Sequence, residues 1–380
     1  MRRRMGCMSL LLILGFVPAA AEDDVVWSIP TVDPVRWSSA PLDPAEADAP
    51  PQGHWQWAAT TGYFNIFRGS THVRDYHEQQ GLAGQPLTST ELDTIEDLYV
   101  DQDIFRIDVE GWRTDVHASR GFRNGYSLNV RISAIDIGRP NWDGVSFDFH
   151  KALGIGQNDR GVFPRGQTVV YVHTPEKTIE FTDDLDGSGI ADAGISLSGP
   201  AGEWLRGGHR WVVSLDVPVG KENSLAGSGG WDVGLRWFGH WAAGRRGHVR
   251  VAAGYSWLDG NGSWLGAERN DTWHAFAEYG RPLTRRVSFR IAGRFDRSPI
   301  DDFTSTRVGR STLVFYIGTR VALTRTNNSW IAFDFGEDWP SFGLGPDFSF
   351  HIQLGTRIGG PRVNRIAEGP EVESEGAASR

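Results

Sequence analysis

Residues 248–258 read HVRVAAGYSWL, and every second side chain in this stretch is apolar. Val249, Val251, Ala253, Tyr255 and Trp257 alternate with residues that are polar or small. An alternation with a period of two predicts a β-strand with two unlike faces. The stretch therefore predicts a strand that separates an apolar environment from a polar one.

The same alternation recurs in four further segments of the chain. They are residues 231–241, 287–296, 313–323 and 348–357. An antiparallel sandwich would also alternate, but a membrane barrel in addition places Trp and Tyr near its two interfaces. Such aromatic residues lie near the predicted strand ends, and this favours the barrel. They are Trp211, Trp231, Trp241, Trp257, Trp273 and Tyr279.

The connections between these segments alternate in length. Counted backward from the last strand, the long ones are residues 336–347, 296–311, 258–271 and 220–230. The short ones are residues 323–329, 281–285 and 242–247. Alternation of long and short connections is typical of a barrel with outside loops and periplasmic turns.

The sequence therefore predicts an all-β fold, an antiparallel transmembrane β-barrel with one short helix in a long loop. Further alternating segments upstream bring the count to about fourteen strands, with both termini periplasmic. The pair at residues 166–181 is short, and a barrel without it would have twelve strands.

Both ends of the chain predict segments outside the barrel, which we place at residues 53–360. Residues 1–21 combine three arginines, an apolar run and small residues, which predicts a signal peptide cleaved before Glu22 and export to the outer membrane. Residues 22–52 are rich in proline and predict a flexible leader, whereas the acidic residues 361–380 predict a disordered tail. Because the last strand does not end the chain, the barrel assembly machinery would recognise an internal signal near residues 348–358.

Composition excludes several classes of function. The net charge of -9 argues against a nucleic-acid partner. The one cysteine, Cys7, lies in the predicted signal peptide, so the mature chain has no disulfide and no cysteine metal site. No nucleophile elbow, zinc-binding helix motif or phosphate loop occurs. We therefore expect no enzyme, no cofactor and no metal, and as partners outer-membrane lipid and an unknown small solute.

The predicted inner face of the barrel carries charges of both signs. The candidate lumen residues are Arg236, Arg250, Arg290, Arg294 and Arg320, opposed by Asp216, Asp232, Glu278 and Asp334. Such residues form a selectivity field for a charged solute, or they pair with one another and close the pore. The sequence leaves both interpretations open.

Residues 141–154 interrupt the strand rhythm and predict a short amphipathic helix in a long outside loop. Asp143, Asp148, Phe149 and His150 lie in this loop, which Arg160 follows. They form either a ligand-binding cluster or a packed structural helix, and loops carry function often enough to keep both hypotheses.

This loop resembles the signature of a family of uncharacterised Gram-negative proteins, a domain of unknown function that is thought to form outer-membrane barrels. The resemblance rests on the aspartate-led segment, the Phe149-His150 pair, the Leu153-Gly154 step and Arg160 before a strand. It extends over most of the chain from about Trp55. It implies a barrel fold and brings no activity with it.

Residues 184–192 contain carboxylates around glycines, as a calcium loop does, but they lack the terminal bidentate glutamate and favour a polar hairpin tip. The leading hypothesis for function is an outer-membrane channel or binding scaffold for a small solute or lipid. The alternatives are a structural envelope protein with a filled lumen and a secreted periplasmic β-sandwich that binds carbohydrate.

Overall fold

The structure is a computed structural model, and it describes only part of the chain. The described residues are 27–29, 31, 36, 43–137, 142–154, 160–175, 177–182, 188–204, 207–221, 226–244, 246–260, 263–264, 267–300, 303, 308–324, 326–339, 343 and 345–359. The predicted signal peptide at residues 1–21 and the predicted tail at residues 361–380 lie outside them.

Seventeen strands and three α-helices occur in this described part of the chain. The strands are β1 (Trp55–Gly69), β2 (Ile104–Gly121), β3 (Ser127–Ile137), β4 (Val169–Thr174), β5 (Lys177–Thr182), β6 (Gly189–Ile190), β7 (Ala193–Trp204), β8 (Gly207–Val217), β9 (Asp232–Ala243), β10 (Gly247–Trp257), β11 (Ser263–Trp264), β12 (Ala267–Glu268), β13 (Thr272–Pro282), β14 (Val287–Asp296), β15 (Thr312–Ala322), β16 (Ser329–Asp338) and β17 (Phe348–Ile358). The helices are α1 (Thr71–Gln79), α2 (Ser89–Leu98) and α3 (Asp143–Leu153).

Twelve of the described strands close into one antiparallel barrel. Its order is β1, β2, β3, β7, β8, β9, β10, β13, β14, β15, β16 and β17. The ring closes between the first and last strands, where Trp55 pairs with Ile358 and Asn65 with Phe348. The predicted barrel is confirmed with its alternative count of twelve strands, and a β-sandwich is excluded because this sheet has no free edge in the ring.

The count of about fourteen is too high because β4 and β5 lie beside the ring. The strand β4 pairs with β2 only at residues 104–108, whereas β3 pairs with β2 at residues 111–121. The hairpin of β4 and β5 therefore continues the sheet above the barrel. This is the short pair that the sequence analysis set apart.

In the barrel wall apolar side chains are exposed and charged side chains are buried, which is the reverse of the pattern in soluble proteins. On β14 the side chain of Ile291 is 46% exposed, whereas Arg290 and Arg294 are buried. Exposed apolar side chains and buried charges alternate in the same way along the other ring strands. Lipid on the outside and a polar lumen on the inside explain this pattern.

A charge on the outer face therefore opposes folding in a membrane. Ile291 lies at the middle of β14, and its pair Ile317 lies at the middle of β15. We expect Ile291→Arg to lower the free energy of unfolding in lipid vesicles by about 2–4 kcal/mol, the cost of arginine near the bilayer midplane. The Ile291→Leu variant should unfold at the denaturant concentration of the wild type, and an unchanged Ile291→Arg midpoint would contradict a lipid-facing position.

The ring has two unlike ends. One end, here called the short-turn end, carries both chain ends of the ring and the links after β2, β7, β9, β13 and β15. The opposite end, the long-loop end, carries α1, α2 and α3. The alternation of long and short connections predicted from the sequence is thus present.

The sequence predicts one helix, and the described chain has three. β1 and β2 contain 15 and 18 residues, whereas the other ring strands contain 10 to 12, so their hairpin rises above the long-loop end. Val73 of α1 and Leu92 and Ile95 of α2 cover this extension with Phe67 and Tyr171 in one buried cluster. Within the described residues, no helix has the length and apolarity to cross a membrane.

Candidate functional site in the barrel lumen

The described residues that precede β1 lie inside the barrel. We call residues 27–29, 31, 36 and 43–50 the lumen segment. Trp27 and Ile29 are 3% and 1% exposed, and the Arg36 side chain is fully buried. The sequence analysis predicts a flexible leader here, so the structure differs from that prediction wherever it describes this stretch. The physical reason is that its polar backbone and carboxylates find partners on the charged lumen wall.

The lumen segment reaches both ends of the barrel. Trp27 packs against Trp330 and Ala332, which lie in the short-turn half of β16. Arg36 donates a hydrogen bond to the carbonyl oxygen of Arg310 (2.8 Å), just before β15 at the long-loop end. The segment returns to the short-turn end at Asp48, before β1 begins.

Trp27 is held by hydrogen bonds as well as by packing. Its indole Nε1 donates to Asp334 Oδ2 (2.9 Å), and Arg290 Nη1 donates to its carbonyl oxygen (2.9 Å). Arg290 Nη2 also donates to the carbonyl oxygen of Ser28 (3.2 Å). The Arg290 guanidinium lies 4.1 Å from the indole centroid, a cation–π contact. Arg290 therefore joins the lumen segment to the wall.

Ile29 lies inside the lumen between the two ends. It belongs to a buried apolar cluster with Phe238 and Phe276, completed by small or aliphatic side chains of neighbouring strands. The wall members of this cluster are Val212, Phe238, Ala252, Phe276, Ala292, Val314 and Tyr316. A twelve-stranded ring is wider than the eight-stranded barrels that side chains alone can fill, and here the lumen segment supplies the missing volume.

Carboxylates of the lumen segment bind wall cations lower in the barrel. Glu46 accepts a hydrogen bond from Arg236 Nη1 (2.9 Å). Asp48 accepts one from Arg357 Nη2 (3.0 Å) at the short-turn end. Asp43 is bonded within the segment itself, because Ser28 Oγ donates to it (2.6 Å).

All nine predicted lumen residues are buried on the inner face, and most of them pair within the wall. Arg320 instead lies over the Trp330 ring at 6.0 Å. Arg236 also donates to Ser214 Oγ (2.7 Å). The ion pairs that these residues form within the barrel include Arg250–Glu278 (2.6 Å), Arg290–Asp334 (2.6 Å), Arg294–Asp296 (2.8 Å), Arg131–Asp216 (3.2 Å) and Arg269–Asp232 (2.8 Å).

The sequence analysis missed Trp27 and Glu46 as lumen residues, together with the wall partners Arg131, Arg269 and Asp296. Asp296 continues the polar face of its strand and could have been included by register alone. Arg269 precedes β13 in a long connection, where no period applies. Trp27 and Glu46 lie among prolines, and nothing in their spacing distinguishes a lumen segment from a linker.

Ser256, His274 and Asp296 form a hydrogen-bonded row on three neighbouring strands. Ser256 Oγ lies 3.2 Å from His274 Nε2, and His274 Nδ1 lies 2.7 Å from Asp296 Oδ1. This is the order of groups in a serine nucleophile triad. Ser256 is fully buried and lies in the paired part of β10, so the row is enclosed in the wall of the barrel.

The predicted loop cluster is only partly assembled. His150 is buried beneath α3, with Nε2 3.2 Å from the Asp347 carbonyl oxygen. Arg160 donates to Asn65 Oδ1 (2.7 Å) and to Asp347 Oδ2 (3.1 Å). Asp148 is exposed and takes no part. The side chain of Asp143 lies outside the described residues.

These contacts fasten α3 to the outer rim of the barrel. Phe149 lies against Phe335 and Phe348, with ring centroids 5.0 and 5.3 Å away. Burial disfavours the charged imidazole of His150, but the Glu337 carboxylate 3.5 Å away outweighs this and raises the pKa of His150. The loop motif therefore holds α3 against the barrel in this structure, and none of the described cavities lies beside it.

The predicted calcium-like loop is mostly outside the described residues, at 183–187. Asp192, which follows it, accepts hydrogen bonds from Gly220 N (3.0 Å) and from Ser228 N and Oγ (2.9 and 2.8 Å). The Asp192 carboxylate thus binds the loop that connects β8 and β9. Within the described chain, no three His, Cys, Asp or Glu side chains group as metal ligands do.

The described residues line cavities at both ends of the barrel. The larger, here called the basal cavity, has a volume of about 700 Å³ and opens at the short-turn end between the lumen segment and strands β7 to β13. The other, of about 410 Å³, lies at the long-loop end beside Arg269 and Arg297. The Ile29 cluster lies between the levels of the two cavities.

A closed antiparallel ring with an apolar exterior and a charged lumen defines the class of outer-membrane β-barrels. The model of the DUF3187 family, described as a protein of unknown function, matches residues 86–358, so the chain belongs to this family. The predicted resemblance to an uncharacterised outer-membrane family is confirmed.

The fold is similar to that of the COG4313 outer membrane channel from Pseudomonas putida F1, with a TM-score of 0.50 and 11% identity over 84% of this chain and 100% of that chain. A FadL homologue from Pseudomonas aeruginosa has a TM-score of 0.38 and 9% identity over 87% of this chain and 99% of that chain. No curated protein matches the chain.

Proposed function

We propose that the protein is an outer-membrane channel for a small solute, closed by its own lumen segment and opened when that segment withdraws. Residues 1–21 serve as the cleaved signal peptide that exports it, and its partners are outer-membrane lipid and the barrel assembly machinery. The proposal includes no catalytic step. The channel named among the proteins of similar fold is compatible with this function.

One observation carries the proposal: the acidic residues of the lumen wall find their arginine partners within the barrel, whereas of the wall cations Arg236 and Arg357 pair with the lumen segment. Glu278, Asp296 and Asp334 each bind an arginine of the wall itself. Charges that stay paired within the wall avoid the large cost of a buried charge without a partner when the segment leaves. A plug that formed part of the folding core would instead hold the partners of most wall charges, and here it holds those of Arg236 and Arg357.

The attachment of the lumen segment is also limited. Among the described residues it is held by the Trp27 and Ile29 side chains, by the Glu46 and Asp48 ion pairs and by the hydrogen bonds of its backbone and indole to Arg290 and Asp334. Burial of each large apolar side chain contributes about 1.5–3 kcal/mol, and water restores part of the polar bonding when the segment leaves. A closed state favoured by a few kcal/mol opens in a small fraction of molecules.

The test combines planar-bilayer conductance with a single reporter cysteine. Ser28 is 1% exposed in the closed lumen, and the only natural cysteine lies in the predicted signal peptide. We expect the full-length wild type to conduct in rare openings. A bulky charged methanethiosulfonate should react with Ser28→Cys during these openings and hold the segment out, giving a lasting rise in current.

The matched control is Thr326→Cys, because Thr326 is exposed in a short turn outside the lumen. The reagent should modify this cysteine at once and leave the current unchanged. A barrel that is folded by its gel mobility but electrically silent, with Ser28→Cys never modified, would overturn the channel. It would favour the structural envelope protein with a filled lumen.

A further inference from the structure

The basal cavity has the size and lining of a ligand site. Its volume of about 700 Å³ falls in the range of pockets that hold small organic molecules, about 300–1,000 Å³. It is open toward the short-turn end and bounded on one side by Pro44, Ala47 and Asp48 of the lumen segment. A ligand can therefore enter it while the lumen segment stays in place.

The inner part of the cavity is apolar. Phe238 and Phe276 line it, and both rings are nearly buried, at 8% and 3% exposure. They belong to the cluster around Ile29, so the cavity ends against the apolar closure of the lumen. An aromatic or aliphatic body fits this end, because apolar surface there is removed from water.

The outer part of the cavity is cationic. Arg210, Arg250 and Arg357 line it. Arg250 is paired with Glu278, and Arg357 with Asp48. Arg210 differs from both, because in the described chain it donates only to the Gly125 carbonyl oxygen (2.8 Å) and Ser198 Oγ (2.9 Å) and forms no ion pair.

The remaining carboxylates do not cancel Arg210. Asp48 is already bound by Arg357 and by Gln56 Nε2 (3.2 Å). Glu203 also lines the cavity, but it is exposed, and no ion pair joins it to Arg210. Both hydrogen bonds that Arg210 donates use Nη2, and Nε is buried without a hydrogen-bond partner among the described residues, so the guanidinium keeps donors on Nε and Nη1 for a ligand.

From these observations we propose that the basal cavity binds a small organic carboxylate with an apolar body, its carboxylate at Arg210 and its apolar part against Phe238 and Phe276. A guanidinium binds a carboxylate through two parallel hydrogen bonds, which gives both charge and geometric selectivity. Binding at this site needs no movement of the lumen segment, so the proposal does not depend on whether the channel opens.

The test is calorimetric titration of the detergent-solubilised full chain with benzoate, benzamide and acetate. Benzamide keeps the ring and removes the charge, whereas acetate keeps the charge and removes the ring. We expect benzoate to bind at least about tenfold more tightly than either, since one charged hydrogen bond or one buried ring exceeds 1.4 kcal/mol. Equal binding of all three would overturn the proposal.

Two variants examine the position of the site. Gly208 lines the cavity, and a Cβ added there would meet no atom within 4 Å, so Gly208→Trp places a large side chain in the cavity from a position with open space. It should abolish benzoate binding. Arg210→Gln should weaken binding about tenfold. Both variants should remain folded, and a heat-modifiable gel mobility like that of the wild type would show this.

The matched controls carry the same substitutions elsewhere. Gly189→Trp lies at the long-loop end in open space, and Arg123→Gln changes an exposed arginine at the short-turn end. Both should bind benzoate as the wild type does. Benzoate binding that survives Gly208→Trp, or absence of binding at millimolar benzoate, would overturn the proposal even if the barrel conducts. A silent barrel that binds benzoate would overturn only the channel.

Discussion

An Ile29→Asp variant is expected to stay open in planar bilayers for at least about a hundredfold larger fraction of the time than the wild type. Ile29 is 1% exposed and surrounded by apolar side chains of the wall, so a carboxylate at this position has no partner. The unpaired buried charge and the lost apolar burial together destabilise the closed state by about 3–5 kcal/mol, and each 1.4 kcal/mol is a factor of ten in the equilibrium. Withdrawal of the lumen segment relieves this cost.

The isosteric Ile29→Leu variant separates charge from shape. It preserves the apolar volume and should keep the closed fraction within about tenfold of the wild type, because such swaps cost less than about 1.5 kcal/mol. Boiled and unboiled gel samples show whether each barrel is folded. An Ile29→Asp barrel that is folded and as silent as the wild type would mean that the lumen segment is part of the permanent core.

The wall of this barrel could be predicted from the sequence because period and environment agree along each strand. Val249 to Trp257 alternate without a break, and a one-residue slip would bring Arg250 into lipid, so the register is strongly specified. The same logic placed Arg290 and Arg294 on the inner face before any partner was known. Which carboxylate each arginine binds was not predictable, because that depends on the stagger between strands.

The contents of the lumen could not be predicted, for a different reason. Trp27 and Glu46 lie in a proline-rich segment that forms no ladder and has no period, and a linker has the same composition. What orders it is the wall, through Arg290 and Arg236, and this interaction joins positions more than 180 residues apart. Tertiary partners of this kind leave no local trace in the sequence.

The start of helix α2, in contrast, has a signal in the local sequence. Thr88 and Glu91 form a capping box, in which Glu91 N donates to Thr88 Oγ1 (3.3 Å) and Thr88 N donates to Glu91 Oε2 (2.8 Å). The spacing of Thr and Glu before Leu92 and Ile95 predicts a helix start on its own. A barrel with ordinary strand lengths needs only loops at this end, and the extension of β1 and β2 that α2 covers has no separate signal in the sequence.

Arg290 should be the single most important side chain for the stability of the lumen. It binds Asp334 through two hydrogen bonds (2.8 and 2.6 Å), lies 3.5 Å from Glu278, and holds the carbonyl oxygens of Trp27 and Ser28. We expect Arg290→Met to lower the free energy of unfolding by about 3–5 kcal/mol, because it leaves the Asp334 carboxylate buried and unpaired. The measurement is the denaturant midpoint at which the heat-modifiable band is lost.

The double variant Arg290→Met/Asp334→Leu tests that reason. If the uncompensated carboxylate causes the loss, removing it should recover much of the stability lost in Arg290→Met, since apolar replacements of whole buried pairs are often tolerated. The exposed Arg286→Met serves as control and should not shift the midpoint. Both Arg290 variants also free the backbone of Trp27, so they should raise bilayer conductance. If the Arg290 variants unfold more easily than the wild type but conduct no more than it does, Arg290 stabilises the barrel wall and does not hold the lumen segment in place.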